Sequence, residues 1–386
     1  MKIGIVGKPS SGKSTFFSAA TMVDVPIAAY PFTTIKPNVA ISAVQLKCPH
    51  VELGLKNCSG VAPSTSASKN CEGVRIAPVQ LIDVAGLVPD AHLGKGRGNE
   101  FLTDLMDADA LIHIVDLSGK TDANGNATLG HDPAGDIEFL EKEIDYWLQG
   151  ILEKNWKNIE RKSKSGTELY ESVYDQLSGL KIDKGRVKEL VTSGYADLLD
   201  LATRIRKASK PIIIAGNKID TLDGKNNYDR LKDRVMPLSA DSELALMRAQ
   251  KAGLIAYIRG NAFFMPLEKL NGKPEAIAAL EQIKKSTLDV FKTTGMLELL
   301  HNVVFDVLEY IPVYPVEDEN KFTDGKGRVL PDVKLMKKGS TALDLAFAVH
   351  TSIGEGFIGA IDARTKKRIG KDYVLKANDI IKIQKK

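Results

Sequence analysis

Residues 7–14 read Gly7-Lys8-Pro9-Ser10-Ser11-Gly12-Lys13-Ser14. The pattern is G-x-x-x-x-G-K-[ST], and each part has a mechanical reason. The two glycines let the backbone fold into a nest whose N–H groups converge on phosphate oxygens. A helix beginning near Lys13 turns its positive end toward the same anion. The Lys13 ammonium can reach β- and γ-phosphates, and the Ser14 hydroxyl can ligate Mg²⁺. Gly7, Lys8, Pro9, Ser10, Ser11, Gly12, Lys13, Ser14 and Thr15 are therefore the expected phosphate cradle. The competing reading is a Gly-Ser turn without a ligand. Context argues against it, because the loop follows the apolar run Ile3–Val6 and precedes Thr15–Ala20, which reads as helix.

Further along, the same rhythm repeats. Val79–Val84, Leu111–Asp116, Pro211–Gly216 and Val235–Leu238 are short apolar runs, each ending in or running into Gly, Asp, Ser or Asn, with helical stretches between several of them. Such alternation predicts βαβ units and a mostly parallel, doubly wound α/β sheet. Two strand ends carry chemistry. Asp83-Val84-Ala85-Gly86 offers a carboxylate that can hold Mg²⁺ through water and a Gly86 N–H that can sense a γ-phosphate. Asn217-Lys218-Ile219-Asp220 offers a carboxylate able to accept both N1–H and the exocyclic N2–H₂ of guanine, which adenine lacks. Asn217 can hold the loop and guanine N7, and the Lys218 stem can lie along the base. Ser239-Ala240, after the next strand run, suits a backbone contact to guanine O6. Each motif alone is weak. In this order, each at a strand end, they predict guanine-nucleotide binding.

The chain has 386 residues, 43% hydrophobic and 26% charged, enough for two or three domains with real cores. No run of 18 apolar residues occurs, so no membrane span is expected. The start at Met1 lacks the pattern of a secretory leader and reads as a cytoplasmic beginning. Net charge is +4 but uneven. Asn320–Lys386 holds 15 Lys and Arg against 7 Asp and Glu, a net +8, leaving the remainder at −4.

From about Asp136 to Lys207 strand signals vanish. Ile137, Leu140, Ile144, Leu148, Ile151 and Ile159, then Val187, Leu190, Tyr195, Leu198, Leu201 and Ile205, recur at helical spacing. This predicts a hairpin-like helical insertion over 136–207, dividing a sheet domain into 1–135 and 208–311. Leu267–Ile311 reads as helical, and Pro312 and Pro315 mark a boundary. The remainder, 312–386, predicts a small α+β domain. Val329–Met336, Phe357–Ala363 and Asp379–Ile383 read as strands, and Thr341 caps a helix through His350. Arg364, Lys366, Lys367, Arg368 and Lys371, with Lys382, Lys385 and Lys386, can form a basic face, either for RNA phosphates or simply for solvation.

All three cysteines, Cys48, Cys58 and Cys71, fall in one 24-residue window with His50. They are enough for a Cys₃His zinc site. The spacing C-x-H-x₇-C-x₁₂-C is not a standard zinc pattern, and unrelated thiols are the plainer reading.

Taken together, the sequence resembles the YchF/Obg-like ATPase branch of the Obg superfamily of P-loop GTPases, in its archaeal form with a C-terminal TGS (β-grasp) domain. The residues carrying the likeness are Gly7–Ser14, Tyr30-Pro31-Phe32-Thr33-Thr34-Ile35-Lys36-Pro37-Asn38-Val39, Asp83–Val88, Gly94-Lys95-Gly96-Arg97-Gly98-Asn99, Asn217–Asp220 and Gly339–Phe357. The resemblance implies that Thr34 is the switch I threonine that ligates Mg²⁺ and that switch II begins at Asp83. Leu87 stands where Ras-type GTPases place a water-orienting glutamine, which implies a hydrophobically substituted, slow GTPase. Hydrolysis would rest on Mg²⁺, Lys13 and backbone groups such as Gly86, with His92 as a candidate helper.

Two departures matter. Many relatives carry N-x-x-E and prefer ATP, whereas Asp220 here predicts GTP over ATP. Many YchF phosphate loops place Asn where Ser10 stands, which puts potassium activation in doubt; Ser is the choice of Obg and of the developmentally regulated GTP-binding proteins, the nearest rival. Implied partners are GTP and, through the basic tail and the helical insertion, the ribosome or its RNA. A cytoplasmic monomer acting in translation is expected. The alternatives are a ribosome-associated binding module whose hydrolysis is incidental, and an ATP-preferring YchF-type ATPase.

Overall fold

The computed structural model describes residues 1–22, 39–56, 58–63, 71, 73–84, 107–180 and 182–386. Six strands form the central sheet: β1 (Lys2–Val6), β2 (Val39–Lys47), β3 (Val74–Asp83), β4 (Ala110–Asp116), β5 (Ile212–Asn217) and β6 (Met236–Leu238). Their order is β2-β3-β1-β4-β5-β6. All neighbours run parallel except β2, which pairs antiparallel with β3 from Val39↔Ile82 to Lys47↔Val74. The expected doubly wound sheet is present, and its antiparallel edge is an addition. Val39–Lys47 (Val-Ala-Ile-Ser-Ala-Val-Gln-Leu-Lys) lacks clean polar alternation because much of the strand packs under helices, so periodicity did not declare it.

The parallel strands are nearly continuous apolar runs, as strands covered on both faces must be. Ile3, Ile5, Leu81, Ile112, Ile114 and Ala215 lie fully or almost fully out of solvent. Helix α1 (Lys13–Thr21) follows β1 directly and packs Phe16, Ala19 and Ala20 onto the sheet. Its C-terminal end is fixed by a buried arginine that donates to the Ala19 and Ala20 carbonyls. This is Arg259, whose guanidinium is paired at 2.9 Å with buried Glu243. A helix C-terminus favours a cation, so the helix that carries the phosphate loop is held at both ends.

Between β4 and β5 the chain is helical: short α2 (Pro49–Glu52) precedes this region, and α3 (Pro133–Lys164), α4 (Leu169–Leu177), α5 (Lys184–Thr192) and α6 (Leu198–Ser209) form it. One long helix runs out and three shorter ones return. The buried stripe of α3 is Ile137, Leu140, Ile144, Leu148, Leu152 and Ile159. Spacing by four after Leu148 selects Leu152, while Ile151 turns to the side and is only half-buried. A buried Asp145–Arg206 pair at 2.6 Å joins α3 to α6.

Helix α7 (Leu222–Leu231) lies between β5 and β6, and after β6 come α8 (Ala240–Lys251), a two-strand ribbon β7 (Ile255–Ala256) and β8 (Met265–Pro266), and α9 (Pro274–Ile283), which continues through a π turn. Then α10 (Met296–His301) passes through a second π turn, Asn302–Val307. The helical run therefore stops short of Ile311. Glu309 takes φ 51°, a helix-breaking left-handed residue, and Tyr310–Val316 is a strand, β9, with Pro312 and Pro315 inside it. Those prolines mark a boundary in composition but lie in the first strand of the last domain.

That domain has a five-stranded mixed sheet, ordered β10-β9-β13-β11-β12, from β9, β10 (Lys334–Lys337), β11 (Phe357–Asp362), β12 (Arg368–Ile369) and β13 (Asp379–Lys385). Helix α11 (Ala342–Val349) packs Ala342, Leu345 and Ala346 into the core beside it, and short α12 (Thr351–Glu355) follows. Thr341 closes a capping box with Asp344, as a Ser or Thr before an apolar helical run should. Strand β13 runs parallel to β9 and antiparallel to β11, and β10 runs antiparallel to β9, giving a β-grasp arrangement. Among the described residues no helix is long and apolar enough to cross a membrane.

Candidate nucleotide site

A cleft of about 670 Å³ opens at the carboxyl ends of the parallel strands, where ligands bind in sheets of this kind. Lys8, Pro9, Ser10, Gly12, Lys13, Ser14, Thr15, Asn217, Lys218, Asp220, Thr221 and Asp241 line it. The phosphate-loop residues and the Asn217–Asp220 loop, 200 residues apart in sequence, thus face one space.

The loop is built by close approach. A Cβ on Gly7 would lie 2.6 Å from the Ile114 carbonyl, and one on Gly12 would lie 2.2 Å from Asn217 Nδ2. Gly12 also takes φ 95°, which a larger residue rarely adopts. Among the described residues, the backbone N–H groups of Lys13, Ser14 and Thr15 meet no acceptor, and Gly12 supplies no side-chain cap. Three donors at a helix start point into the cleft beside the Ser14 hydroxyl, a donor set that suits a phosphate. Lys13 Nζ sits 2.9 Å from Asp83 Oδ1, at the end of β3. The residue types and their convergence fit a nucleotide phosphate with a divalent cation.

Asn217 is the hinge pin. Its Nδ2 donates to the Ser11 carbonyl at 2.9 Å, and its Oδ1 accepts the Ala240 N–H at 3.0 Å. One buried amide therefore joins the phosphate loop, β5 and the start of α8. Lys218, at φ 69°, reaches back over the phosphate loop, donating to the Ser10 carbonyl at 3.1 Å and to Asp116 Oδ2 at 2.8 Å. Asp220 accepts the Ser239 hydroxyl at 2.7 Å and stays half-buried, with its carboxylate on the cleft wall. Gly224 lets the turn after Asp220 close, since a Cβ there would strike the Lys218 carbonyl at 2.0 Å.

Lys8 does something the motif does not announce. Its ammonium is buried, donating to the Thr121 carbonyl at 2.7 Å and pairing with Asp136 Oδ2 at 2.7 Å. Its side chain ties the loop to the first turn of α3, and only its backbone remains for the cleft. Asp136 also meets His131 at 2.9 Å.

Two further contributors were not singled out from sequence. Asp116 ends β4 fully buried. Burial pushes its carboxyl up, but Lys218 and the Ser118 and Thr121 hydrogen bonds outweigh that and hold it below the usual carboxylate range. Gly125 packs over Pro9, where a Cβ would come within 2.6 Å, and its carbonyl accepts from Ser10 Oγ at 3.3 Å. The available signal was one more strand end, Asp116-Leu117-Ser118, of the same kind as those at Asp83 and Asn217.

Thr34, Gly86, Leu87 and His92, with the Tyr30–Asn38 and Gly94–Asn99 stretches, lie outside the described residues. In the tail, the basic cluster is only partly free. Arg364 forms a forked pair with Glu52 at 3.0 and 3.3 Å, across the junction between the two sheets. Lys366 bonds the Glu319 carbonyl and lies over the Phe322 ring, and Lys382 pairs with Glu319 at 2.7 Å. Lys367, Arg368, Lys371, Lys385 and Lys386 are exposed and make no ion pair among the described residues.

Comparison with known proteins agrees with this geometry. Residues 2–154 match the family described as 50S ribosome-binding GTPase, 215–318 the Obg-like GTPase YGR210-like, G4 motif-containing domain, and 326–385 the TGS domain. An uncharacterized GTP-binding protein of Methanocaldococcus jannaschii is 48% identical, over 99% of this chain and 98% of its own. The chain belongs to the YchF/Obg-like family of GTP-binding proteins. The crystal structure of a GTP-binding protein from Pyrococcus horikoshii OT3 is 40% identical, covers 100% of both chains and superposes with a TM-score of 0.75. A more distant member, named ribosome-binding ATPase YchF, from Bacillus subtilis, is 26% identical over 98% of this chain and 97% of its own. Family membership accounts for the order of the motifs and for the small last domain.

Proposed function

We propose that the chain is a guanine-nucleotide switch that hydrolyses GTP slowly and acts on the ribosome. The carrying observation is Asn217, whose one amide holds the phosphate loop and the Ala240 turn at fixed distance while Asp220 faces the cleft. In this reading the N–H groups of the loop and Lys13 take the phosphates, and Asp220 with the Ser239–Ala240 turn takes the base. Ser14 and Asp83 would hold Mg²⁺, with Thr34 as a third ligand. The ion, when bound, neutralises charge between β- and γ-phosphate oxygens. The 2.9 Å Lys13–Asp83 contact already sets the phosphate-directed ammonium beside the metal-directed carboxylate. A leucine cannot polarise water, so Leu87 supports low turnover. Gly86 and His92 are the proposed helpers, and an unchanged rate in both Leu87→Ala and His92→Ala would leave neither of those side chains with a role.

The preference for GTP rests on the acceptor geometry of a carboxylate. A side-by-side titration with GTP and ATP tests it, and equal or tighter ATP binding would refute it in favour of the activity named for the Bacillus subtilis relative. The ribosomal partner is supported by the family description of residues 2–154 and by the unpaired Lys367, Arg368 and Lys371. Co-sedimentation with ribosomes, in GTP analogue against GDP and at rising salt, tests that part. Binding indifferent to the nucleotide would instead support a module in which hydrolysis is incidental.

A further inference from the structure

Among the described residues, the connection between β2 and β3 carries one short helix, the four residues of α2. Yet it carries four buried side chains that converge. The Sγ atoms of Cys48, Cys58 and Cys71 and a ring nitrogen of His50 all lie within 4.8 Å of one another. Cys48 and Cys58 sulfurs are 3.4 Å apart, and Cys71 Sγ is 3.9 Å from His50 Nδ1. Sulfurs on a tetrahedral zinc at about 2.3 Å stand about 3.8 Å from each other, within about half an ångström of the Cys48–Cys58 separation and inside the 4.8 Å that encloses the set. No disulfide joins them.

Two features point to thiolates rather than idle thiols. First, the Gly60 backbone N–H donates to Cys58 Sγ at 3.2 Å. Charged acceptors are what such donors favour. Second, Arg75 is 1% exposed, and its hydrogen-bond partners among the described residues are two carbonyls and a sulfur, with no carboxylate. Its Nη1 and Nη2 donate to the Leu330 and Pro331 carbonyls at 2.9 and 3.1 Å, its plane covers Tyr314, and its Nη1 lies 3.9 Å from Cys48 Sγ. A buried guanidinium needs a countercharge. Three thiolates around a divalent ion carry one net negative charge, which matches it. Four protein ligands with no open position would make the site structural, not catalytic.

We propose that Cys48, Cys58 and Cys71 through Sγ, and His50 through Nδ1, bind one structural Zn²⁺, which makes the β2–β3 connection the seat of the C-terminal domain. The three thiol protons leave to solvent as the ion enters. The seat is visible in the packing. Cys48, Cys58 and Cys71 share one apolar cluster with Tyr314, Val316, Leu330 and Ile380 of the last domain. The Ser59 N–H donates to the Val329 carbonyl at 2.8 Å, and Arg364 clasps Glu52 beside it. At a structural site of this kind, metal binding free energy becomes folding free energy.

The test uses the full chain, purified without a metal-affinity step. Elemental analysis should give one zinc per chain, released as a mercurial titrates three thiols. Exchange with Co²⁺ should produce thiolate-to-cobalt charge transfer and the strong ligand-field bands of a tetrahedral ion. Cys58→Ser and Cys71→Ser should each lose at least ten-fold in zinc affinity. The cobalt spectrum of the unaltered chain stands even if those variants do not fold. Zinc release should also expose the junction near 317–330 to protease. Three freely reactive thiols without metal, a Cys48–Cys58 disulfide, iron in place of zinc, or a cobalt spectrum lacking thiolate charge transfer would each overturn the site. Unchanged proteolysis on zinc release would overturn its role as the domain's seat.

Discussion

Asn217 Nδ2 donates to the Ser11 carbonyl at 2.9 Å, linking a strand end to a loop 206 positions earlier. The same side chain accepts from Ala240 N–H at 3.0 Å. Removing it leaves a buried carbonyl and a buried N–H without partners, each worth roughly 1–3 kcal/mol. Asn217→Ala should therefore lower the thermal midpoint and weaken nucleotide binding together. Calorimetry with and without GDP checks it. A variant that loses affinity at an unchanged midpoint would mean that Asn217 contacts the base rather than bracing the loop.

Asp220 makes a sharper prediction about specificity. A carboxylate accepts two hydrogens from guanine, and hydrogen bonds to charged groups contribute about 1.5–3 kcal/mol. Asp220→Asn replaces one acceptor with an N–H₂ donor, which suits xanthine, whose C2 oxygen accepts. GTP affinity should fall roughly ten- to hundred-fold, one factor of ten per 1.4 kcal/mol, while XTP affinity rises. The folded chain should be little affected, because Asp220 keeps only the Ser239 hydroxyl as a partner here. Competition titrations with GTP, XTP and ATP give the answer.

Much of this architecture was legible in the sequence because strand ends and functional loops coincide in parallel sheets. Gly7–Ser14, Asp83 and Asn217–Asp220 each follow an apolar run, and the fold brings the phosphate loop and the Asn217–Asp220 loop to one cleft, with Asp83 paired to Lys13. Local signals could not reveal what depends on distant partners. Lys8 reads as part of the cradle, but Asp136, 128 positions on, draws its ammonium inward. Strand β9 was hidden by Pro312 and Pro315, whose local meaning is a break, while its membership in a sheet is decided by β10 and β13. Arg364 reads as free positive charge until Glu52 of the first domain is placed against it. The cysteines were visible as a cluster, but their odd spacing concealed the convergence that only the folded β2–β3 connection supplies.

Lys13 stands 2.9 Å from Asp83, the two side chains 15% and 31% exposed. A single partly solvated pair adds little to stability, so removing the ammonium should spare the fold. Lys13→Met should leave the thermal midpoint within about 1 kcal/mol of stability and reduce single-turnover phosphate release roughly 10²–10³-fold, the usual loss when one preorganised electrostatic group is deleted. Release of phosphate under enzyme excess measures it directly. Retained hydrolysis would place the phosphate-directed charge elsewhere.

His113 lies on β4 beneath the phosphate loop, opposite Val6 on one side and Ile214 on the other. It is buried, and its Nδ1 has no hydrogen-bond partner among the described residues. Burial disfavours the imidazolium, and the nearby Lys8 ammonium adds to that, so its pKa falls from 6.5 to about 3. The unfolded chain therefore binds the proton first. Between pH 6.5 and 3 the unfolded state carries more protons, so stability falls as pH drops through this window, by at most about 1.4 kcal/mol per unit. Above pH 6.5 this residue contributes no slope. His113→Leu removes the titrating group while keeping an apolar filling. Its thermal midpoint should decline less steeply than that of the unaltered chain between pH 7 and 5, the two curves converging or crossing on the acid side. Parallel acid limbs in the two proteins would assign the pH sensitivity to other groups.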